Sequence, residues 1–231
     1  MEGNTVNDDV PADSGRLILM NDPSVVGIPV QDCGEPLVDL GLDSRFIIDE
    51  RLADPAGAHR LVRLGLAERL ARATHQLPEG LRLLVIEGFR PLALQTEYFH
   101  AYQERLRASY PKRSDDEIYS LASQYVAPPL DVPPHCCGAA IDLTLADGDG
   151  RELDMGTRVN ESPEESRGRC YTDSPSISPE AKSNRVILST VLHEVGLVNY
   201  PTEWWHWSYG DRYWSFKTAA QAAIYGLVTT I

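Results

Sequence analysis

The chain has 231 residues, of which 42% are apolar, enough for one domain with a continuous core. Its 34 Asp and Glu outnumber its 21 Lys and Arg, and the resulting formal charge of −13 repels phosphate backbones and anionic membranes. We therefore expect neither nucleic acid nor a membrane surface as a partner.

The N-terminal segment does not have the pattern of a signal peptide. Acidic residues stand where basic ones are required, and the apolar run Leu17–Met20 is much shorter than an h-region. No stretch reaches the ~20 apolar residues of a membrane span. We expect a soluble, cytoplasmic protein in which residues 1–15 are a disordered lead-in and residues 16–231 form a single domain.

Short strands and helices alternate in the first half of this domain. Turn signals break up three apolar segments, which we predict as strands and turns: Leu17–Met20, Val25–Val30 and Arg45–Ile48. Helical spacing predicts a core-facing helix over about 56–73, with its apolar face made by Val62, Leu66 and Leu70. The run "LRLLVIE" (81–87) predicts a buried strand, and Pro91 then opens a helix that ends near Ser109.

The second half combines helices with one clear strand and a long loop. Ser114 and Glu117 have capping-box spacing and predict a helix after them. "AAIDLTL" (139–145) predicts a strand, and residues 147–178 predict a long loop beside or over a site. Ser178 begins a long helix that Gly196 stops, and strand and turn follow over 197–214.

Several common catalytic motifs are missing from the sequence. There is no GxSxG elbow, no GxxxxGK[ST] phosphate loop and no complete GxGxxG, which disfavours serine-nucleophile and nucleotide chemistry. His193 and Glu194 resemble the start of HExxH, but the fifth position is Leu197 and Gly196 has already ended the helix. We predict His193 as a partly exposed residue at a helix end.

"HCCGAAID" and "EWWH" hold the remaining candidates for chemistry. His135, Asp142 and His206 could supply two imidazoles and one carboxylate, three protein ligands that leave the fourth position of zinc open to water. Glu203 would then be an unligated carboxylate close enough to accept the proton of that water. All four tryptophans of the chain lie within eleven positions around this second motif.

Spacing alone leaves a structural alternative open for these residues. Residues an odd number apart on a straight strand face opposite ways, so convergence requires a bend, for which Gly138 and Pro201 are candidates. Adjacent tryptophans with an imidazole are also common at the edge of a core. The four cysteines form no CxxC pair, which disfavours a disulfide scaffold and a cysteine zinc site, and we predict Cys136 and Cys137 as packing residues.

Arg90 is a further candidate, because it emerges directly after the buried strand "LLVIE" and before a proline. A guanidinium at that place suits binding of a carboxylate or of a developing oxyanion. An ion pair with one of the 34 acidic residues explains it equally well.

Taken together, "EGFRP", "HCCGAAID" and "EWWH" resemble the zinc D-alanyl-D-alanine dipeptidases, the VanX-like branch of a group that includes D,D-carboxypeptidases. The family pattern is an Arg after a strand, then HxxGxxxD, then ExxH, in this order. "DLTL", "LDMGT" and "PTEWWHWSYGDRYW" are similar to the dipeptidase branch in particular, and the likeness runs from about residue 17 to 216.

The resemblance implies a role for each candidate. His135, Asp142 and His206 would bind one zinc ion per chain, Glu203 would be the catalytic base, and Arg90 would stabilise the tetrahedral intermediate. The implied fold is α+β, a single domain with a mostly antiparallel central sheet flanked by helices and a zinc cleft on one face of the sheet. The family often has a Ser two positions before the first ligand, where this chain has a proline.

The implied reaction is hydrolysis of the free dipeptide D-Ala-D-Ala, in the context of peptidoglycan and cell-wall metabolism. A loop over 147–178 and an insertion around 107–130 could close the cleft, which favours a small substrate. One alternative is a D,D-carboxypeptidase or muramoyl-peptide hydrolase acting on longer stem peptides. Another is a zinc-stabilised binding module without catalysis, although such a module needs neither Glu203 nor Arg90.

Overall fold

A five-stranded sheet forms the centre of the computed structural model, which describes residues 17–130 and 132–229. In chain order its elements are α1 (Pro23–Val26), β1 (Leu37–Asp39), β2 (Ile47–Ile48), β3 (Leu61–Arg63), α2 (Leu64–Thr74), β4 (Arg82–Glu87), α3 (Leu92–Ser109), α4 (Asp115–Ala122), β5 (Ala140–Ala146), α5 (Pro163–Ser166), α6 (Pro179–Glu194), β6 (Val198–Asn199), β7 (His206–Ser208) and α7 (Arg212–Thr218).

The strand order is β2-β4-β5-β7-β6, and only the edge pair β2–β4 is parallel within this sheet. Strands β1 and β3 pair separately and antiparallel. The α+β fold with a mostly antiparallel sheet is therefore confirmed. Among the described residues, no helix is both long and apolar enough to cross a membrane.

The two faces of β5 have different neighbours. Its odd-numbered residues Ile141, Leu143 and Leu145 join an apolar cluster to which α2 and α6 contribute, through Leu66, Leu70, Leu188 and Leu192 among others. Each of these buried side chains contributes roughly 1.5–3 kcal/mol relative to exposure. Because side chains alternate along a strand, Asp142 points to the opposite face, where a cavity lies. The core thus fixes which face the polar residue occupies.

Helices α3 and α4 form a second apolar layer beside this cavity. They share a small cluster of their own made by Phe99, Tyr102, Leu106, Ile118 and Ala122. The predicted capping box is present, with Ser114 accepting from the Glu117 backbone and the Glu117 side chain accepting from the Ser114 backbone. The predicted strands at β4 and β5 and the predicted helices at α3 and α6 are likewise confirmed.

Four of the predicted elements are wrong in type or extent, and the first of them, Leu17–Met20, contains no strand. The helix expected from residue 56 begins at Leu64, because Val62 belongs to β3 and pairs with Val38 of β1. The segment Val25–Val30, expected as strand and turn, begins inside the single helical turn α1, which Asp22 caps, and forms only an isolated bridge from Val30 to Ala223. The C-terminal part of the segment expected as strand and turn forms α7, which Asp211 caps by accepting from the Trp214 backbone.

The long loop at 147–178 contains the one-turn helix α5 and is otherwise irregular, apart from a bridge between Ala146 and Glu152. The disordered lead-in expected at residues 1–15 lies outside the described residues.

A close backbone approach at the end of β4 makes Gly88 necessary. Its N–H donates to the His59 carbonyl, and the next N–H, of Phe89, donates to the Leu61 carbonyl. A Cβ on Gly88 would lie 2.4 Å from the Leu61 carbonyl oxygen and 2.9 Å from Val62. Since one of these neighbours is backbone, no side-chain rotation relieves the overlap.

We predict that Gly88→Ala lowers the free energy of unfolding by about 1–3 kcal/mol, because the added methyl forces the two segments apart. The matched control is Gly148→Ala, where the nearest atom to a new Cβ is 3.7 Å away, and its effect should stay within about 0.5 kcal/mol. Urea unfolding of both variants measures the difference. Equal stabilities would contradict this description of the close approach.

Candidate metal centre

Three buried side chains from separate parts of the chain meet on the cavity face of the sheet. His135 begins a short 3-10 helix (His135–Cys137), Asp142 lies on β5, and His206 is the first residue of β7. One ligand atom from each of the three lies within 4.8 Å of the others. The distances are 3.0 Å from His206 Nδ1 to Asp142 Oδ1, 3.2 Å from His135 Nε2 to His206 Nδ1, and 3.4 Å from His135 Nε2 to Asp142 Oδ1.

Backbone bends produce this convergence. Gly138 adopts a left-handed conformation (φ +65°) and turns the chain between His135 and β5. A second turn precedes β7, where the Glu203 N–H donates to the Tyr200 carbonyl and the His206 N–H donates to the Glu203 carbonyl. This turn brings Glu203 Oε2 to 3.9 Å from His206 Nδ1. Residues that a straight strand would separate therefore share one site.

Hydrogen bonding orients the His135 ring for metal binding. His135 Nδ1 lies 2.7 Å from the Gly88 carbonyl, which can only accept, so Nδ1 is assigned the proton. In the neutral form that binds a metal, Nε2 would then direct its lone pair toward Asp142 and His206. Such an outer contact fixes the tautomer and the ring orientation of a metal-binding histidine.

The donor set fits zinc. Burial would raise the pKa of Asp142, but the charges and hydrogen bonds of His135 and His206 outweigh it and hold this pKa well below its usual range. Two imidazoles and an ionised carboxylate match catalytic zinc sites with three protein ligands. Within the part of the chain that the structure describes, this is the single cluster of His, Cys, Asp or Glu with such spacing.

The other sequence candidates lie outside the cluster. Cys136 and Cys137 are buried, and the Cys137 thiol donates to the Pro133 carbonyl at 3.3 Å, in agreement with a packing role. His193 is exposed near the end of α6, with its ring edge against Trp207.

Glu203 lies beside the cluster in the wall of the cavity. The Glu203 side chain is 18% exposed, and its exposed part faces the cavity. Desolvation raises the pKa of Glu203 to about 7, an effect that the nearby His206 partly opposes. Trp205 and Tyr200 line the same wall, whereas Trp204 and Trp207 are fully buried. The aromatic residues thus enclose the carboxylate and limit its contact with bulk water.

Arg90 both forms an ion pair and faces the cavity. Its Nε donates to Glu87 Oε1 at 2.7 Å and its Nη2 donates to Glu87 Oε2, while Nη1 donates to Gln95 Oε1 at 2.7 Å. Its guanidinium also lies 4.8 Å from the centre of the Tyr98 ring. Burial would lower the pKa of Arg90, but Glu87 more than compensates and raises it, so the side chain stays charged. The ion pair expected by one interpretation is therefore present, whereas binding of a substrate carboxylate or oxyanion stays a prediction that the place of Arg90 in the cavity wall allows.

The cavity has a volume of about 360 Å³, and its wall includes the three residues of the cluster together with Glu203 and Arg90. Helix α3 supplies one side, through Gln95, Tyr98, Ala101, Tyr102 and Arg105. The loop at 147–178 adds residues 160–163, and the insertion at 107–130 adds residues 125–127. Hydrogen bonds from Tyr102 to Glu164 and between the Tyr125 and Tyr171 hydroxyls join these walls. Both segments expected to cover the site do border it.

Comparison with known proteins places the chain in a family. A family model of the M15 peptidases described as D-Ala-D-Ala dipeptidase matches residues 37–223, most of the chain. The chain belongs to this D-Ala-D-Ala dipeptidase family. The M15 peptidases are metallopeptidases, so the protein is an enzyme of the peptidase class.

Individual relatives are also named D-alanyl-D-alanine dipeptidases. The D-alanyl-D-alanine dipeptidase of Synechocystis is 29% identical over 219 residues, covering 83% of this chain and 89% of that protein. The D-alanyl-D-alanine dipeptidase of Enterococcus faecium is 30% identical over 152 residues, covering 63% and 71%. A crystal structure of the vancomycin-resistance D,D-pentapeptidase VanY with Zn(II) is more distant, at 13% identity and a TM-score of 0.41 over 74% of this chain and 84% of that one.

Sequence reasoning missed two residues that support this M15 site. Glu87 is 2% exposed and holds Arg90, and Gln95 is 1% exposed and bridges Arg90 to the Ala127 carbonyl. A charged residue that ends the apolar run "LLVIE" was the available signal for Glu87. Gln95 gave no comparable signal, because a glutamine on a helix is usually exposed.

We predict that Glu87→Gln lowers the free energy of unfolding by about 3 kcal/mol, because it leaves a buried guanidinium without its counter-charge. The control is Glu104→Gln, which breaks the exposed pair between Glu104 and Arg107 and should cost at most about 1 kcal/mol. Thermal unfolding of both variants tests the difference. A Glu87 variant as stable as the control would show that Arg90 does not depend on this pair.

Proposed function

We propose that the protein is a zinc-dependent dipeptidase that hydrolyses free D-Ala-D-Ala to two D-alanines. The proposal rests on one observation above all: a buried His135, Asp142 and His206 cluster with an unligated carboxylate, Glu203, 3.9 Å from one of its imidazoles. A site that only stabilised the fold would need no such carboxylate. One zinc ion per chain would be held by the three clustered residues.

Zinc, when bound, would act as a Lewis acid and lower the pKa of a water molecule toward neutrality. Glu203 would accept the proton of the attacking water at its carboxylate and pass it to the leaving amine as the C–N bond breaks. A raised pKa suits both transfers, because the carboxylate accepts a proton and releases it with little cost. The enclosing aromatic wall would keep competing water away from this carboxylate.

Arg90 would stabilise the oxyanion that develops on the peptide carbonyl. Three of its five N–H groups are engaged by Glu87 and Gln95, which fix the plane of the guanidinium and leave the others free to donate. Since the side chain does not need to reorient during the reaction, its contribution is preorganised. Glu87 and Gln95 would thus act as positioning residues.

The size of the cavity favours a small substrate. About 360 Å³ lies between α3 on one side and the loop at 147–178 on the other, with contacts across its border. Such a space suits a free dipeptide better than a glycan-linked polymer. We propose a small-molecule peptide as the substrate and no nucleic acid or membrane partner, in agreement with the charge of −13. A cytoplasmic location stays a prediction.

The test is amine release from D-Ala-D-Ala, L-Ala-L-Ala and a pentapeptide ending in D-Ala-D-Ala, with zinc content measured and a chelator control. We expect rapid, chelator-sensitive cleavage of the free D,D-dipeptide. Preferential cleavage of the pentapeptide would instead make the protein a D,D-carboxypeptidase. Zinc-loaded protein that cleaves none of the three would overturn the proposal.

Three variants extend the same assay, two in the site and one as a control. Glu203→Gln should retain zinc and the fold and lose hydrolysis by about 10²–10⁴-fold, as expected on removal of a general base. His206→Ala should lose zinc as well as activity. Glu194→Gln, at the exposed end of α6, should behave like the unchanged protein.

A further inference from the structure

A peptide substrate of the proposed kind carries a carboxylate, which a cation in the cavity wall would bind. Pro133 lines the cavity two positions before His135, and a proline has neither an N–H nor a side-chain donor. Apart from the two histidines, the cationic residues among the described residues of the wall are Arg90 and Arg105. One of these two arginines is therefore the natural partner for a peptide carboxylate.

Arg90 already has a carboxylate partner, and its two remaining N–H groups are assigned to the oxyanion. Both oxygens of Glu87 accept from it, and Gln95 accepts a third hydrogen bond. Its positive charge is neutralised at contact distance, so a second carboxylate gains less from it than from an unpaired cation.

Arg105 is held much more loosely, at the outer end of the same wall. Its Nη1 lies 3.7 Å from Glu165 Oε1, and the two side chains are 61% and 51% exposed. An exposed ion pair at this distance contributes little stability and is easily exchanged. The Arg105 guanidinium also lies 5.0 Å from the centre of the Tyr102 ring, which orients it at the border of the cavity.

Helix geometry connects Arg105 to the metal centre. One face of α3 carries Gln95, Tyr98, Tyr102 and Arg105, and the first and the last are ten positions apart, about 15 Å along the helix axis. Side chains on a helix lean toward its N-terminus, and Arg105 accordingly lies over the Tyr102 ring, in the direction of the end of α3 at which Gln95 contacts Arg90. An extended dipeptide spans about 7 Å, which is shorter than this helix face, so the wall also has room for longer peptides.

We propose that Arg105 binds a carboxylate of the peptide substrate and that Glu165 occupies this position until the substrate enters. The inference rests on the proposed peptidase function and names a specificity-determining residue for it. The carboxylate is either the C-terminal one of a free dipeptide or an acidic side chain of a longer peptide. Both present the same chemistry to the guanidinium.

The test compares the unchanged protein with Arg105→Gln on D-Ala-D-Ala and on its C-terminal amide. Loss of the charge-assisted contact should raise KM for the dipeptide about tenfold and leave kcat within about twofold. The amide, which lacks the carboxylate, should have the same KM with both proteins. Arg107→Gln is the matched control, because Arg107 lies on the same helix but pairs with Glu104 and Asp115 outside the cavity.

A second pair of substrates distinguishes the two sources of the carboxylate. If Arg105 binds an acidic side chain, Arg105→Gln raises KM for a stem pentapeptide containing D-Glu but not for its D-Gln analogue. KM for the dipeptide then stays unchanged. If it reads the C-terminus, the two pentapeptides respond equally and their C-terminal amides do not respond. An equal rise in KM for all acids and amides, or no rise for any, would overturn the inference.

Glu165→Gln separates ligand binding from a purely structural link across the cavity. Gln preserves the capping box of α5, in which Glu165 accepts from the Ser162 backbone. If Glu165 competes with the substrate for Arg105, its variant lowers KM while the Arg105 variant raises it. If the pair only links the two walls of the cavity, both variants change KM in the same direction. Zinc-loaded, unchanged protein that cleaves no peptide would instead overturn the proposed function.

Discussion

The cross-strand contact between Asp142 of β5 and His206 of β7 is the interaction on which the site depends. The two residues are register partners, and their side chains lie 3.0 Å apart on the cavity face. A slip of one residue between these strands would turn Asp142 toward the core and destroy the cluster. Ile141 and Leu143 prevent that slip, because both are fully buried on the opposite face. Ordinary hydrophobic packing thus positions a polar ligand.

The charges around the cluster favour a bound cation. Three carboxylates lie around Arg90, those of Glu87, Asp142 and Glu203. The Glu87 carboxylate already balances the positive charge of Arg90. The remaining carboxylates face two imidazoles that bind metal in their neutral form. A divalent cation would balance this excess negative charge, which explains how a low-dielectric pocket accommodates several acids.

Much of this arrangement follows from the sequence, but the convergence of its parts does not. The motifs "HCCGAAID" and "EWWH" identify all three members of the cluster, and the helical and strand patterns identify α3, α6, β4 and β5. The start of α2 was mispredicted because pairing of Val62 with Val38 overrides helical spacing. The turn that brings Glu203 to His206 depends on backbone hydrogen bonds to Tyr200, which no spacing rule reveals. Glu87 and Gln95 act through Arg90, so their importance appears only once the contacts are known.

The most direct test of the metal centre is a crystal structure of the zinc-loaded protein with anomalous data collected at the zinc edge. We expect one strong anomalous peak per chain, about 2.0–2.2 Å from a ring nitrogen of His135, an oxygen of Asp142 and a ring nitrogen of His206, with Glu203 outside the coordination sphere. A peak bound through Cys136 or Cys137, or a peak that includes Glu203 in place of Asp142, would contradict this expectation.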